Sequence, residues 1–543
     1  MIFDAPLFRF IQREGTVKLK RLILLSCLGG LANTGLIALI NQSASIASTG
    51  KTAVWQFFAF VFLLFIYLYA LRKSSKENVI STQSLMHTFK IRIMSQVLKA
   101  DLKTIDGIGR PWILQILVRD TQTVSQSILS IVQIAQSAST LIFLLIYIGF
   151  VSIPAFLIVL IASFLIFFLV SNRISKTTKA FSEAWHYEGE SLKVLSDFMD
   201  GFKEIKMNSK RAAELSREIV FGSRKSKSMK IEAMFALVNA TIAPQLFFYI
   251  LVGIAVFVLP VLFKDYSNSV QSITTSIMFL VGALGGIVGN IPPLAQASAS
   301  AEELLLLEEK LNKIEISEDN TAQDENFSAM KSLELKNLVY QYDENKSDKS
   351  FTIGPVSYIF EPGKIYFVRG NNGSGKSTLI RLLIGLYKPT SGGIYFNGDI
   401  VRQPTSPAYR NLFSVVFSDF HLFKRLYGIY TADDNVITAA IDLLGMSEKT
   451  KISDNSFSDI NLSTGQRKRI ALITAILEDR PIIVLDEWAS DQDPEFRKYF
   501  YEYILPELKN RGKTIIAITH DDHYYSMSDH LIKIQNGVLV QST

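Results

Sequence analysis

Gly370-Asn371-Asn372-Gly373-Ser374-Gly375-Lys376-Ser377-Thr378 fits the pattern G-x-x-x-x-G-K-[ST]. These residue types suit phosphate. Glycines let backbone N–H groups converge on anionic oxygens, and the start of a following helix adds partial positive charge. Lys376 is placed to reach the β- and γ-phosphates of a nucleotide, and Ser377 to ligate Mg²⁺. The flanks agree with that use. The apolar run Ile365-Tyr366-Phe367-Val368 reads as a strand, and Leu379, Leu382, Leu383 and Leu386 recur at helical spacing.

Three more segments carry chemistry. Pro481-Ile482-Ile483-Val484-Leu485-Asp486-Glu487 is an apolar strand ending in two carboxylates. Asp486 suits Mg²⁺, held directly or through water, and Glu487 suits a general base acting on water. Leu462-Ser463-Thr464-Gly465-Gln466 opens an amphipathic helix containing Arg467, Lys468 and Arg469, a second helix N-terminus suited to an anion. His520 closes the apolar run Ile515–Ile518.

These residues occupy only the second part of a chain of 543 residues, 48% of them hydrophobic. The first part reads as six membrane spans: Leu22–Ile40, Val54–Leu71, Ile128–Phe150, Ile153–Ser171, Phe235–Phe263 and Ser272–Leu294. Their cores carry no Lys, Arg, Asp or Glu, which favours an energy source outside the membrane. Lys18, Lys20, Arg21, Arg72, Lys73, Lys76, Arg173, Lys176 and Lys179 flank one side of the spans. The positive-inside rule therefore places both termini in the cytoplasm. It also accounts for much of the net charge of +6 without nucleic acid. The only cysteine, Cys27, excludes an intrachain disulfide. Leu24-Leu25-Ser26-Cys27 loosely resembles a lipoprotein cleavage box, but its apolar lead is too short, so no cleavage is expected. Phe8–Lys20 reads as an interfacial helix leading into the first span.

Two long connections, 72–127 and 172–234, read as helices continuing beyond the bilayer. Each has one Gly-bearing break, at Asp106–Trp112 and Asp200–Glu204, expected to dock on the soluble part. Gln126, Ser130, Gln133, Ser137 and Thr140 share one helical face, which either lines a cavity or packs on another helix. Gly282, Gly285, Gly286 and Gly289 form small-xxx-small patterns suited to close helix packing, with a gating kink at Pro292-Pro293 as the other use. The expected division is a membrane domain over 1–301, an acidic linker over 302–329 and an α/β domain over 330–543.

The order and spacing of these motifs resemble the ABC-transporter family. Leu462–Gln466 is similar to its signature, usually LSGGQ, with Thr464 at the third place. The resemblance implies a membrane all-α six-helix exporter domain followed by an α/β P-loop nucleotide-binding domain. It implies ATP and Mg²⁺ as cofactors and a homodimer in which Ser463, Thr464, Gly465 and Gln466 face the γ-phosphate held by the second copy. It also implies His520 as a switch residue near that phosphate, Asp493 on the dimer-interface loop, and Tyr342, ahead of Tyr340, stacked on adenine. Where the family carries Gln as a metal ligand, this chain has Ser418. Phe417–Phe423, Asp486–Phe496 and Thr519–Tyr525 resemble the bacterial cyclic-peptide and siderophore exporters, which handle pyoverdine precursors, syringomycin-type lipopeptides and lasso-peptide microcins. The resemblance implies an inner-membrane exporter of such peptides. A lipid or multidrug exporter and a membrane-tethered regulatory ATPase are the alternatives.

Overall fold

The computed structural model describes residues 6–14, 19–48, 54–165, 194–262, 270–315, 327–341, 351–429 and 433–541. It separates into two compact units, one of 1–100 with 108–317 and one of 101–107 with 318–543.

The first unit is helical. Long apolar runs lie within the helices Leu19–Ser48, Val54–Lys99, Thr121–Val151 and Val270–Gly289. Among the described residues, four helical stretches are long and apolar enough to cross a membrane, and Ile153–Leu165 and Phe248–Leu262 are shorter apolar helices. Residues 166–171 of the fourth expected span lie outside the described residues. Val54–Lys99 has 46 residues and Ser209–Gly253 has 45, each about twice the ~20 that a bilayer requires. Phe57, Phe58, Phe62 and Phe65 are 62–68% exposed, as suits lipid rather than water. Inward, Ile37, Leu144, Ile148, Leu251, Ile277 and Leu280 pack together. Between spans, the Ser139 hydroxyl donates to the Cys27 carbonyl at 2.9 Å, and the Asn41 amide donates to the Ser272 carbonyl at 3.2 Å. The third and fourth spans meet at a single extended residue, Ser152.

Several expectations change. The amphipathic segment is helical over Pro6–Glu14, but its face is buried in protein. Leu7, Phe10 and Ile11 are covered, Phe10 stands edge-on to Phe89, and Arg13 pairs with buried Glu308 at 3.1 Å. The polar stripe divides: Ser130 and Thr140 are buried, while Gln126 and Gln133 are exposed. Of the four glycines, only Gly286 closes on a neighbour, Ser137. The expected linker is helical as far as Glu315, since Ile291–Glu315 continues past 302 and buries Leu304, Leu307 and Leu311. The segment 101–107 groups with the second unit, where Leu102 packs on the core and the Lys103 ammonium lies 5.9 Å from the Tyr340 ring. Trp112 turns the other way, donating to Glu303 at 3.2 Å beneath Lys310.

The second unit contains β1 (Leu333–Gln341), β2 (Thr352–Phe360), β3 (Ile365–Arg369), β4 (Ser391–Phe396), β5 (Asp399–Ile400), β6 (Phe413–Val416), β7 (Ile452–Ser453), β8 (Ser456–Phe457), β9 (Ile482–Asp486), β10 (Thr514–Ile518), β11 (His530–Gln535) and β12 (Val538–Gln541). An antiparallel sheet runs β2-β1-β4-β5, and a six-stranded sheet runs β12-β11-β3-β10-β9-β6. The latter is parallel apart from its edge strand β12. Its central strands are covered on both faces. Ile483 and Leu485 enter one core, and Ile482 and Val484 the other. Near-continuous apolar strands are what that burial demands.

A Cβ at Gly286 would meet Ser137, whereas one at Gly282 would meet nothing within 4 Å. Gly286→Val is therefore expected to cost about 1–3 kcal/mol and Gly282→Ala less than about 0.5 kcal/mol. Thermal unfolding in nanodiscs checks this, and equal shifts for the two variants would refute the packing.

Candidate nucleotide site

Four adjacent parallel strands, β3, β10, β9 and β6, end at the expected chemistry. Their register aligns Val368 with Ile518, Ile518 with Asp486, and Val416 with Leu485. The loop from Gly370, then His520, Glu487 and Ser418 follow these positions within two residues, and Asp486 is one of them. Ligands bind at such carboxyl ends in open α/β sheets.

The phosphate loop joins β3 to the helix Lys376–Leu383, shorter than the apolar periodicity suggested because Gly385 turns the chain at φ 72°. Gly373 and Gly375 have φ 76° and 102°, in the left-handed region that glycine permits. Gly370 lies so close to the Ile534 carbonyl and Ser374 that a side chain would not fit. Lys376 is buried and donates to the carbonyls of Gly370 at 2.8 Å and Asn371 at 3.1 Å. Desolvation lowers its pKa, opposed by the nearby charges of Glu487 and Asp486. Ser374 is buried with its hydroxyl unpartnered. Asn371, Asn372 and Ser377 are exposed, and Thr378 is half-buried. A cradle of this shape, with an orphaned hydroxyl and a lysine held by its own loop, fits a polyphosphate.

Asp486 is 5% exposed, and burial raises its pKa. The Ser418 hydroxyl donates to its Oδ2 at 3.2 Å, which opposes that rise. Glu487 has φ 50° and ψ 38°, its N–H donates to the Ile518 carbonyl at 3.1 Å, and its Oε1 lies 3.3 Å from His520 Nε2.

The Ser463–Gln466 turn opens the helix Thr464–Leu477 with a capping box: the Ser463 hydroxyl accepts from the Gln466 N–H, and the Gln466 side chain accepts from the Ser463 N–H. Gly465 faces the Asp491 carbonyl at a distance that leaves no room for a Cβ.

A family model described as "ABC transporter" matches residues 353–490. Across 540 residues the chain is 31% identical to "ATP-binding protein SyrD" of Pseudomonas syringae pv. syringae, covering 95% of this chain and 93% of that one. The chain belongs to the ABC transporter family. It is an exporter-type half-transporter that binds ATP and couples its hydrolysis to transport, a multi-pass membrane protein. It is also 24% identical over 484 residues to an "ATP-dependent lipid A-core flippase" of Paraburkholderia xenovorans, covering 85% of this chain and 78% of that one. Its fold matches the structure of a bacterial Atm1-family ABC exporter with ATP bound, at TM-score 0.73 and 16% identity over 98% of this chain and 95% of that one.

In this exporter, Tyr342 lies outside the described residues. Tyr340 is 3% exposed and stacked on Tyr387 at 5.2 Å, so it serves the core. Asp493 uses both carboxylate oxygens within its own chain. Oδ1 accepts from the Phe496 N–H and Oδ2 from Arg469 Nη2, both at 2.8 Å. The Phe496 N–H is the larger cause of its lowered pKa. Sequence reasoning missed the groups that tie the loop 487–493 in place. Arg469 Nε donates to Gln492 at 2.8 Å, Gln492 donates to the Gly465 carbonyl at 3.0 Å, and Arg497 donates to the carbonyls of Ser490 and Gln492 at 3.2 Å. The run Arg467-Lys468-Arg469 beside the signature was the available signal for Arg469.

Because burial raises the folded-state pKa of Asp486, the native state holds that proton more readily than the unfolded chain does. Stability tied to this group is present below the ordinary carboxylate range and is lost as pH rises through the folded pKa. Without nucleotide, Asp486→Asn is expected to melt above the parent at about pH 7, with the gap closing near pH 4. Calorimetry at both values tests it, and a gap independent of pH would contradict it.

Proposed function

We propose that this exporter moves a cyclic peptide, siderophore or related peptide natural product out across the bacterial inner membrane, with both termini and the ATPase unit in the cytoplasm. The observation carrying this reading is the similarity to SyrD over 540 residues, which spans the membrane half as well as the ATPase. The resemblance of Phe417–Phe423, Asp486–Phe496 and Thr519–Tyr525 to peptide-exporter ATPases supports it. The flippase relative supports a second reading, lipid transport.

One chain supplies one phosphate loop and one signature, so a pair of chains completes two composite sites, most simply as a homodimer. In each site the backbone of Gly370–Gly375 cradles phosphate, with Asn371, Asn372, Ser374 and Thr378 in or beside the loop, and Lys376 neutralises phosphate charge. Tyr342 stacks on adenine. Ser463, Thr464, Gly465 and Gln466 of the second copy close over the γ-phosphate, beside the loop of Asp493. Ser377 and Asp486 would hold Mg²⁺, with Ser418 alongside, and the ion would supply positive charge at the phosphates. Glu487 takes the proton from water, and His520, 3.3 Å from its carboxylate, orients it. Closure of the pair and release after hydrolysis bias the membrane helices between two arrangements.

ATPase activity of the full chain in lipid nanodiscs tests the reading, with cyclic peptides, siderophore precursors, linear peptides and lipids as additions. Saturable stimulation is expected from a cyclic peptide or siderophore, and Glu487→Gln is expected to lower turnover about a hundredfold or more. Stimulation by lipids alone would transfer the assignment to a flippase. Turnover no higher than that of Glu487→Gln would refute an ATP-driven pump.

A further inference from the structure

Lys468 is 2% exposed, on the helix that begins at the signature. An ammonium is costly to bury unless it is paired and its donors are satisfied. Here it has three acceptors: Asp491 Oδ2 at 2.6 Å, the Glu487 carbonyl at 2.7 Å and Ser490 Oγ at 3.2 Å. Three partners match three N–H donors. The Lys468 main-chain carbonyl in turn accepts from Trp488 Nε1 at 2.8 Å, with Trp488 fully buried. Two reciprocal links thus join one helical residue to the pair Glu487-Trp488.

What they hold is strained. Left-handed backbone at a non-glycine residue is strained and persists only where its surroundings enforce it. Glu487 is such a residue. Its carbonyl takes hydrogen bonds from Lys468 and from Ser490 Oγ, the latter at 2.7 Å, while its N–H is fixed to β10. The direction of its carboxylate follows from that backbone.

We propose that Lys468 is a positioning residue for hydrolysis: its buried ammonium holds Glu487 in the left-handed turn that aims the carboxylate, and makes the signature helix and the base one rigid piece. The signature closes on the second copy's nucleotide while Glu487 serves the nucleotide of its own chain. Lys468 therefore links the closing of one composite site to base alignment in the other. The inference rests on Glu487 being the general base.

The test uses the full chain in nanodiscs, reading ATP turnover, KM, the Hill coefficient and the stoichiometry of a fluorescent ATP analogue. Lys468→Met is expected to lower kcat about ten- to a hundredfold, as for a misaligned reacting group. The number of nucleotides bound and KM should stay within about twofold and the Hill coefficient should fall toward one. Lys468→Arg is expected to recover part of kcat. Ser490→Ala with Asp491→Asn removes one acceptor and the charge of another on the more exposed side without emptying the core, and should move kcat the same way by less. Turnover of Lys468→Met within twofold of the parent, while Glu487→Gln is inactive, would overturn the proposal and leave the base assignment standing. Loss of nucleotide binding in parallel with turnover, unrelieved by arginine and absent from the Ser490/Asp491 variant, would reduce Lys468 to a structural role and overturn it too. Turnover retained by Glu487→Gln would instead remove the reading on which the inference rests.

Discussion

The site depends on the register of one parallel ladder. β10 pairs with β3 on one side and β9 on the other, and β9 pairs with β6. Because the three registers agree, four loops leave the sheet at one level, and the phosphate cradle, the histidine, the two carboxylates and Ser418 converge without any long loop to bring them together. A slip of one residue would turn every side chain of a strand to its other face. The two cores prevent it, since Ile515 and Ala517 pack into one and Ile516 and Ile518 into the other.

That ladder was legible because it obeys simple rules. Ile482–Leu485 and Ile515–Ile518 are apolar without alternation, as strands buried on both faces must be, and the glycine pattern marks the loop between β3 and its helix. The spans were legible for a related reason: the bilayer demands about twenty apolar residues and tolerates few charges. Tertiary choices were not legible. The family resemblance offers Tyr340, behind Tyr342, as a ring to stack on adenine, but only packing shows that the Tyr340 ring is stacked on Tyr387. The Gly107–Trp112 break marks where the helix yields, yet the segment that joins the ATPase unit is the turn before it, because Leu102 finds an apolar seat while Trp112 finds Glu303 and Lys310. The periodicity of the third span shows that five polar residues share a face. It does not show that Ser130 and Thr140 are buried, that Ser137 meets Gly286, and that Gln126 and Gln133 are exposed.

Charge is handled differently in the two units. The cores of the spans carry none, and among the described residues the buried charges of the first unit, Asp120 and Glu308, lie in the helical extensions. Glu308 lies 3.1 Å from Arg13 and 3.4 Å from Arg92, which joins the N-terminal helix to two others. Asp120, 1% exposed at the end of a π-helical turn, accepts from Ser300 at 2.9 Å. Such pairs stabilise little on balance, but breaking one leaves an uncompensated charge. At Glu308 they tie Pro6–Glu14, Val54–Lys99 and Ile291–Glu315 to one buried carboxylate.

Arg467, Lys468 and Arg469 carry the same principle into the ATPase unit. Successive residues on a helix point about 100° apart, so three adjacent cations reach three separate places. Arg467 lies over Phe420 at 5.7 Å, Lys468 binds Glu487, Ser490 and Asp491, and Arg469 binds Gln492 and Asp493 while lying 3.4 Å from the Phe496 ring. The helix that starts at the signature is therefore anchored both to the loop after β6 and to the loop after β9. This gives the Ser418 departure a physical setting. A hydroxyl is too short to span from β6 into the site as a glutamine side chain would, and here it is engaged with Asp486. The loop after β6 nevertheless stays tied to the signature helix, through Phe420 and Arg467 rather than through the residue at the strand's end.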